Sequence, residues 1–159
     1  MSEDAASRAK FAADHIEITQ LFAKYCYMVD NCIWDMLEDI FTSDIRADYT
    51  SVVEYTVGQS PTINGIAEYR EYFELAMRPI GPGLTHFMTN HLVRIEGDRA
   101  AIVSHNHVLN LGQGGVYHTQ ARRTPKGWRL DRLVFEVRYF DDVARRMNDH
   151  MVAIDGRSV

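Results

Sequence analysis

Near Thr85 the apolar spacing of this chain changes from three or four residues to two, and that change restricts the folds open to it. Ahead of Thr85, Ile18, Leu21, Phe22, Tyr25, Cys26 and Val29 form one helical stripe, and Ile66, Tyr69, Tyr72, Phe73, Ala76 and Met77 form another. Residues 33–41, with Trp34, Leu37, Ile40 and Phe41 on one side, predict a second helix ended by Thr42-Ser43-Asp44. Residues 45–57, rich in Tyr, Thr and Val, read as a strand, and Pro79, Gly81, Pro82 and Gly83 stop the third helix.

Beyond Thr85, residues 85–95, 100–111, 116–124 and 128–140 read as four strands. Short turns join them at Glu96-Gly97-Asp98, at Gly112 to Gly115, and at Pro125-Lys126-Gly127. In the last strand Leu133, Phe135, Val137 and Tyr139 alternate with Arg132, Glu136 and Arg138, so one face is expected to be buried. Helices followed by a long antiparallel meander give an α+β class, with a twisted sheet wrapped round the helices as a cone open at one end. Such a mouth suits a small apolar ligand.

Asp30 stands out within this pattern. It extends the first stripe one turn past Cys26, whereas Glu17, Gln20, Lys24 and Asn31 form the wet face. A carboxylate on a buried side costs several kcal/mol unless hydrogen-bonded or neutralised. Asp30 therefore either reaches water or a loop at the helix end, or has a partner in a cleft, where paired acids often move protons.

Bulk properties remove several classes. The 159 residues suit a single domain, 1–159, with a core of about 8–141 and a charged tail over 142–159, a short helix or a frayed end. A formal charge of −5 without a basic cluster argues against nucleic acid. No run approaches the roughly 20 apolar residues that span a bilayer, and the N-terminal stretch lacks a signal-like apolar core, so no membrane partner and a cytoplasmic location are expected. Cys26 and Cys32 match neither a zinc pair nor a redox motif and read as packing residues. There is no G-x-S-x-G elbow and no glycine-rich phosphate loop before a helix, which argues against serine hydrolases, NTPases and most nicotinamide enzymes.

Of seven histidines, His15 is expected on the exposed side of the first helix and His150 in the tail. On the strands, alternation groups His86 with Met88, Asn90 and Leu92, opposite Phe87, Thr89, His91 and Val93. His105 and His107 share a face with Val103 and Leu109, and Ser104 and Asn106 share the other with Ile102 and Val108; His118 stands on the next strand. A histidine pair at i and i+2 can bind metal, but no supporting ligand motif accompanies it and no metal is expected. A carboxylate, histidines and tyrosines round a cavity suit acid–base chemistry without a cofactor.

The runs Lys24 to Asp30, Trp34 to Glu38, Phe41 to Asp44, Thr85 to His91 with Glu96-Gly97-Asp98, and Gly115 to Tyr117 with Lys126 to Arg129 resemble, in order, the SnoaL-like family of the NTF2-like superfamily. Its scytalone dehydratase, hexachlorocyclohexane dehydrochlorinase and bile-acid 7α-dehydratase branches are the most similar. The resemblance implies a cone-shaped α+β barrel and a helix aspartate that polarises a base histidine, here Asp30 and His86. It also implies hydrogen-bonding tyrosines at Tyr25 and, on the first long strand, Tyr49. The dehydrochlorinase lysine and arginine, near Tyr25 and Leu133, are not kept, and the bile-acid enzyme's central acid has no clear match, its place falling near Asn106–Val108. Side chains expected to contact substrate are Val29, Trp34, Met88, Asn106, Tyr117, Leu133 and Phe135. The implied function is a cofactor-independent lyase, a dehydratase first, acting on a small apolar cyclic substrate. The alternatives are a ketosteroid-isomerase-like or polyketide-cyclase-like enzyme, or a non-catalytic ligand carrier or hydroxylase small subunit. A homodimer or homotrimer is expected through an outer sheet face presenting His91, Val93, Val134 and arginines.

Overall fold

A computed structural model describes residues 3–55, 60–78 and 80–140. Helix α1 runs Glu3–Asp30. A 3-10 turn at Trp34–Met36 and the single turn α2, Leu37–Ile40, lead into β1, Phe41–Asp48. A 3-10 stretch, Thr50–Tyr55, is followed by β2, Thr62–Asn64, and α3, Ile66–Met77. Then come β3, His86–Glu96; β4, Arg99–Val108; β5, Gln113–Thr124; and β6, Gly127–Phe140. The strands form one curled, unclosed sheet in the order β2-β1-β6-β5-β4-β3. The four-strand meander and the first and third helices match the sequence reading. The tail after Phe140, His150 and residues 56–57 of the expected first strand lie outside the described residues.

Two expectations for the first half are corrected. Residues 33–41 do not form one helix, because Phe41 is already extended (φ −115°, ψ 156°) and pairs with Leu130 of β6. The first strand accordingly starts at Phe41 and ends at Asp48, and Tyr49 follows it rather than lying on it. β1 runs parallel to β6, which closes the helical half of the chain onto the end of the meander.

α1 buries Ile18, Leu21, Phe22, Tyr25, Met28 and Val29 against the concave side of the sheet. Its end is sharply defined. Ile33 N–H donates to Met28 O (2.9 Å), Cys32 N–H donates to Val29 O (3.2 Å), and Cys32 takes a left-handed φ of 55° where glycine is usual. Asp30 is thereby held in the last helical turn. No described helix is long and apolar enough to cross a membrane.

Bulges decide which strand residues face inward. Asn90, at φ 54°, is an extra residue between the pairs Thr89↔His105 and Leu92↔Val103. His86 and Met88 point inward before it, and His91, Val93 and Ile95 after it, while Leu92 is exposed. This overturns the grouping of His91 and Val93 with Phe87 and their place on the outer face. The His91 ring stacks on Phe22 (4.8 Å), and its Nδ1 lies 2.8 Å from the Ser104 hydroxyl. A second irregularity turns Tyr139 outward, where it meets His107, so the simple alternation expected for β6 holds through Val137 and fails at Tyr139. His105 and His107 face away from the core and Ser104 and Asn106 face into it. His15 is half-buried rather than exposed.

The end of the cone away from Asp30 is plugged by Trp128, which is fully buried. Its ring N–H donates to Asp14 Oδ1 (3.3 Å) and its backbone N–H to Glu17 Oε1 (2.8 Å), while the Arg123 guanidinium lies over the ring. Asp14 also pairs with the Arg123 guanidinium (2.6 Å) and accepts from Lys10 (2.8 Å). The Arg123 contact holds the Asp14 carboxyl at about 2, below its ordinary 3.8, against the opposing effect of burial. A depressed acid contributes stability above its unfolded value and loses it as pH falls through the folded one. Asp14→Asn should therefore lower thermal stability at neutral pH and flatten the loss of stability between about pH 4 and 2, read from melting curves across that range. Gly115 sits where a Cβ would lie 2.3 Å from the Glu136 carbonyl oxygen. Gly115→Ala should cost about 1–3 kcal/mol through overpacking, read as a lower denaturant midpoint.

Candidate functional site

The last turn of α1 meets the start of β3 through one carboxylate. Asp30 Oδ1 lies 2.5 Å from His86 Nδ1, and the same carboxylate accepts the His86 backbone N–H at 3.0 and 3.2 Å. The Asp30 carbonyl accepts the Gly83 N–H (2.8 Å). The side chains are 18% and 8% exposed, so the contact is largely shielded from water. Asn110 braces the incoming loop, accepting from Thr85 N–H (2.9 Å) and donating to Gly83 O (2.7 Å). The carboxylate can only accept, so Nδ1 carries the proton and Nε2 presents a lone pair. Among the described residues Nε2 makes no hydrogen bond.

Beside the dyad lies a chain of phenols. The Tyr25 ring is edge-on to the His86 ring at 6.4 Å. Its hydroxyl lies 3.2 Å from that of Tyr117 and 3.4 Å from that of Tyr49, and Tyr49 lies 2.6 Å from Tyr69. All four side chains are buried. Burial pushes Tyr25, Tyr49 and Tyr69 well above the ordinary tyrosine value and Tyr117 up to about 12, so the chain is neutral and protonated near pH 7. Tyr72 packs its ring on Tyr49 (5.0 Å).

The structure brings Asp30, His86, Tyr25, Tyr49, Tyr117 and Phe135 together; Phe135 stacks on Tyr117 at 4.5 Å. Met88 and Asn106 pair across β3 and β4, one inward position from the His86↔Val108 pair. Asn106 Oδ1 is buried without a partner. Val29 is buried on α1 one residue before Asp30. Leu133 lies one inward position beyond Phe135 on β6, opposite Thr119. Trp34 stacks on Phe73 (5.2 Å), which lies 6.2 Å from Tyr25, placing Trp34 behind the first ring of residues. Tyr69 and Asn110 escaped the sequence reading: Tyr69 looks like one more aromatic in a helical stripe, and Asn110 like a turn residue.

The two cysteines are free, and burial followed by the Asp30 charge pushes the Cys26 thiol up to about 12, far from a nucleophilic thiolate. His105 contacts Asn90, and His118 lies 3.3 Å from Glu136, both on the outer side of the sheet. Among the described residues, no three His, Cys, Asp or Glu side chains converge as a metal-binding group.

Known proteins share this framework. A protein of Mycobacterium tuberculosis is 28% identical over 134 residues, covering 77% of this chain and 84% of its own. The crystal structure of the hexachlorocyclohexane dehydrochlorinase LinA-type3 from Novosphingobium barchaimii superposes with a TM-score of 0.70 at 15% identity, covering 84% of this chain and 92% of that one. A protein of Novosphingobium aromaticivorans put forward as a scytalone dehydratase superposes with a TM-score of 0.64 at 14% identity, covering 85% and 91%. Likeness at these identities establishes the fold, which is NTF2-like with a cystatin-like sheet. Residues 11–134 match the SnoaL-like domain, and the chain belongs to that family.

Proposed function

We propose that this chain is a cofactor-independent acid–base enzyme, a lyase of the dehydratase type acting on a small apolar cyclic carbonyl compound. The observation that carries the reading is the 2.5 Å contact between Asp30 and His86 Nδ1, which leaves Nε2 as the basic atom. Nε2 takes a proton from the carbon next to the carbonyl; the C–H electron pair moves into a C=C bond, and the carbonyl oxygen gains negative charge. Asp30 stabilises the imidazolium so formed, and a phenol hydroxyl of the Tyr25 group donates to the oxyanion. When the carbonyl re-forms, the electron pair expels a hydroxyl from the neighbouring carbon. The Nε2 proton leaves with it as water, and the imidazole returns to its starting state.

Asn106, Met88, Val29, Phe135 and Leu133 are read as surrounding the substrate, with Trp34 behind them against Phe73. A cytoplasmic setting and a homodimer or homotrimer complete the reading; the exposed Phe87, Leu92 and Tyr139 replace His91 and Val93 on the outer face. A second reading, a ligand carrier or hydroxylase small subunit of the same fold, draws on the mutual hydrogen bonding of the four tyrosines, which lets the polar set satisfy itself.

The two readings separate in a deuterium-exchange experiment. A panel of cyclic ketones and hydroxy-ketones is followed by NMR in heavy water. The enzyme reading expects α-proton exchange that falls by about 10²–10⁴-fold in His86→Ala, and a large fall in Asp30→Asn with the fold intact. Exchange that survives His86→Ala rejects the acid–base assignment and leaves the carrier.

A further inference from the structure

The tyrosine chain holds a fixed number of protons, and counting them restricts what it can do. Among the described residues, Tyr117, Tyr25, Tyr49 and Tyr69 are joined by three hydroxyl–hydroxyl contacts, at 3.2, 3.4 and 2.6 Å. Each phenol has one proton, and each contact uses one. Four protons less three leaves one to donate outside the chain. Tyr25 and Tyr49 therefore cannot both donate to a ligand while the contact between them lasts.

Which hydroxyl holds the spare proton depends on the direction of the other bonds. The shortest contact is Tyr49–Tyr69, so Tyr49 is most firmly tied at its α3 side. If Tyr69 donates to Tyr49, the Tyr49 proton is free to go to Tyr25. The Tyr117 proton can go to Tyr25 as well. Tyr25 then accepts twice, and its own proton is left for a partner outside the chain; of the four rings, that of Tyr25 meets the His86 ring edge-on. Two bonds received polarise the Tyr25 O–H and make it a stronger donor.

We propose that Tyr69 is a positioning residue: acting through Tyr49, it sets the order of the hydroxyl chain so that Tyr25 alone donates, to a single oxygen of the ligand next to His86. This rests on the acid–base reading above and narrows its ligand class. The chain serves one carbonyl or enolate oxygen, not a carboxylate or a pair of oxygens that needs two donors.

The test uses 4-nitrophenol, a ring with one oxygen whose neutral and anionic forms absorb differently. Its affinity and its bound ionised fraction are measured against pH for the full chain and its variants. Tyr25→Phe should weaken nitrophenolate binding about 10–100-fold, the loss of one hydrogen bond to a charged oxygen. Tyr69→Phe should weaken it about 3–10-fold and lower the ionised fraction at a given pH. The double variant should match Tyr25→Phe alone, because Tyr69 acts only through Tyr25. Tyr72→Phe removes a neighbouring hydroxyl outside the chain and should change neither quantity; circular dichroism and melting curves check that all variants fold. Equal losses in Tyr72→Phe and Tyr69→Phe, additive losses in the double variant, no loss in Tyr69→Phe, or no nitrophenolate binding by the parent chain would each overturn the proposal. The measurement needs no turnover, so it fails separately from the His86→Ala exchange experiment.

Discussion

A carboxylate at the C-terminal end of a helix is in an unfavourable place. The free carbonyls there carry partial negative charge, and an acid among them gains nothing from the helix dipole. Asp30 occupies that position at the end of a 28-residue helix, largely out of water. What offsets the cost is a pair of N–H groups from one residue: the backbone and ring donors of His86 converge on the same carboxylate. That arrangement joins the end of α1 to the start of β3 and orients the imidazole in the same step. Architecture and chemistry share this one contact.

The rest of the fold keeps that meeting point in place. At its other end α1 is fixed by Asp14 and Glu17 to the Trp128 plug. At the Asp30 end the left-handed Cys32 stops the helix, so the carboxylate cannot slide along the sheet. The approach to His86 is held from β3's neighbour, where Asn110 bonds both Thr85 and Gly83 and Leu109 N–H bonds Thr85 O. With both sides of the dyad anchored, the ring has little freedom to leave Asp30, a condition for a base whose lone pair must face one direction.

Much of this was legible in the sequence because it depends on local periodicity. The α1 stripe, the α3 stripe and the meander each follow from spacing, and the buried-side placement of Asp30 follows from the first of them. The family resemblance supplied His86, Tyr25 and Tyr49 as partners. What escaped is non-local or one residue long. The parallel pairing of β1 with β6 joins segments more than eighty residues apart, and no local pattern announces it. The bulge at Asn90 reverses the facing of everything after it, yet both faces of β3 carry apolar residues, so alternation had no contrast to read. The available signal was asparagine itself, which enters the left-handed region more readily than most residues. Tyr69 was missed for another reason: its ring belongs to a helical stripe, and only its hydroxyl, meeting Tyr49 twenty positions away, departs from that role.

The charges of the interior near the dyad restrict what ligand the proposed site can take. The phenols of Tyr25, Tyr49, Tyr69 and Tyr117 are held neutral by burial, so Asp30 supplies the negative charge of the group while His86 is unprotonated. Bringing in an anionic ligand without a proton on His86 Nε2 would place two negative charges in a shielded space, which is costly at low dielectric. A neutral ligand, or an acid that gives up its proton there, avoids this. In the proposed reaction the proton passes to Nε2, the aspartate gains an imidazolium as neighbour, and the new negative charge on the ligand is met by a phenol hydroxyl. The number of charges rises, but each opposite pair is adjacent and the total is unchanged. The neutral carbonyl compound of the proposed reaction, an anion only in passing, meets that charge requirement at every step.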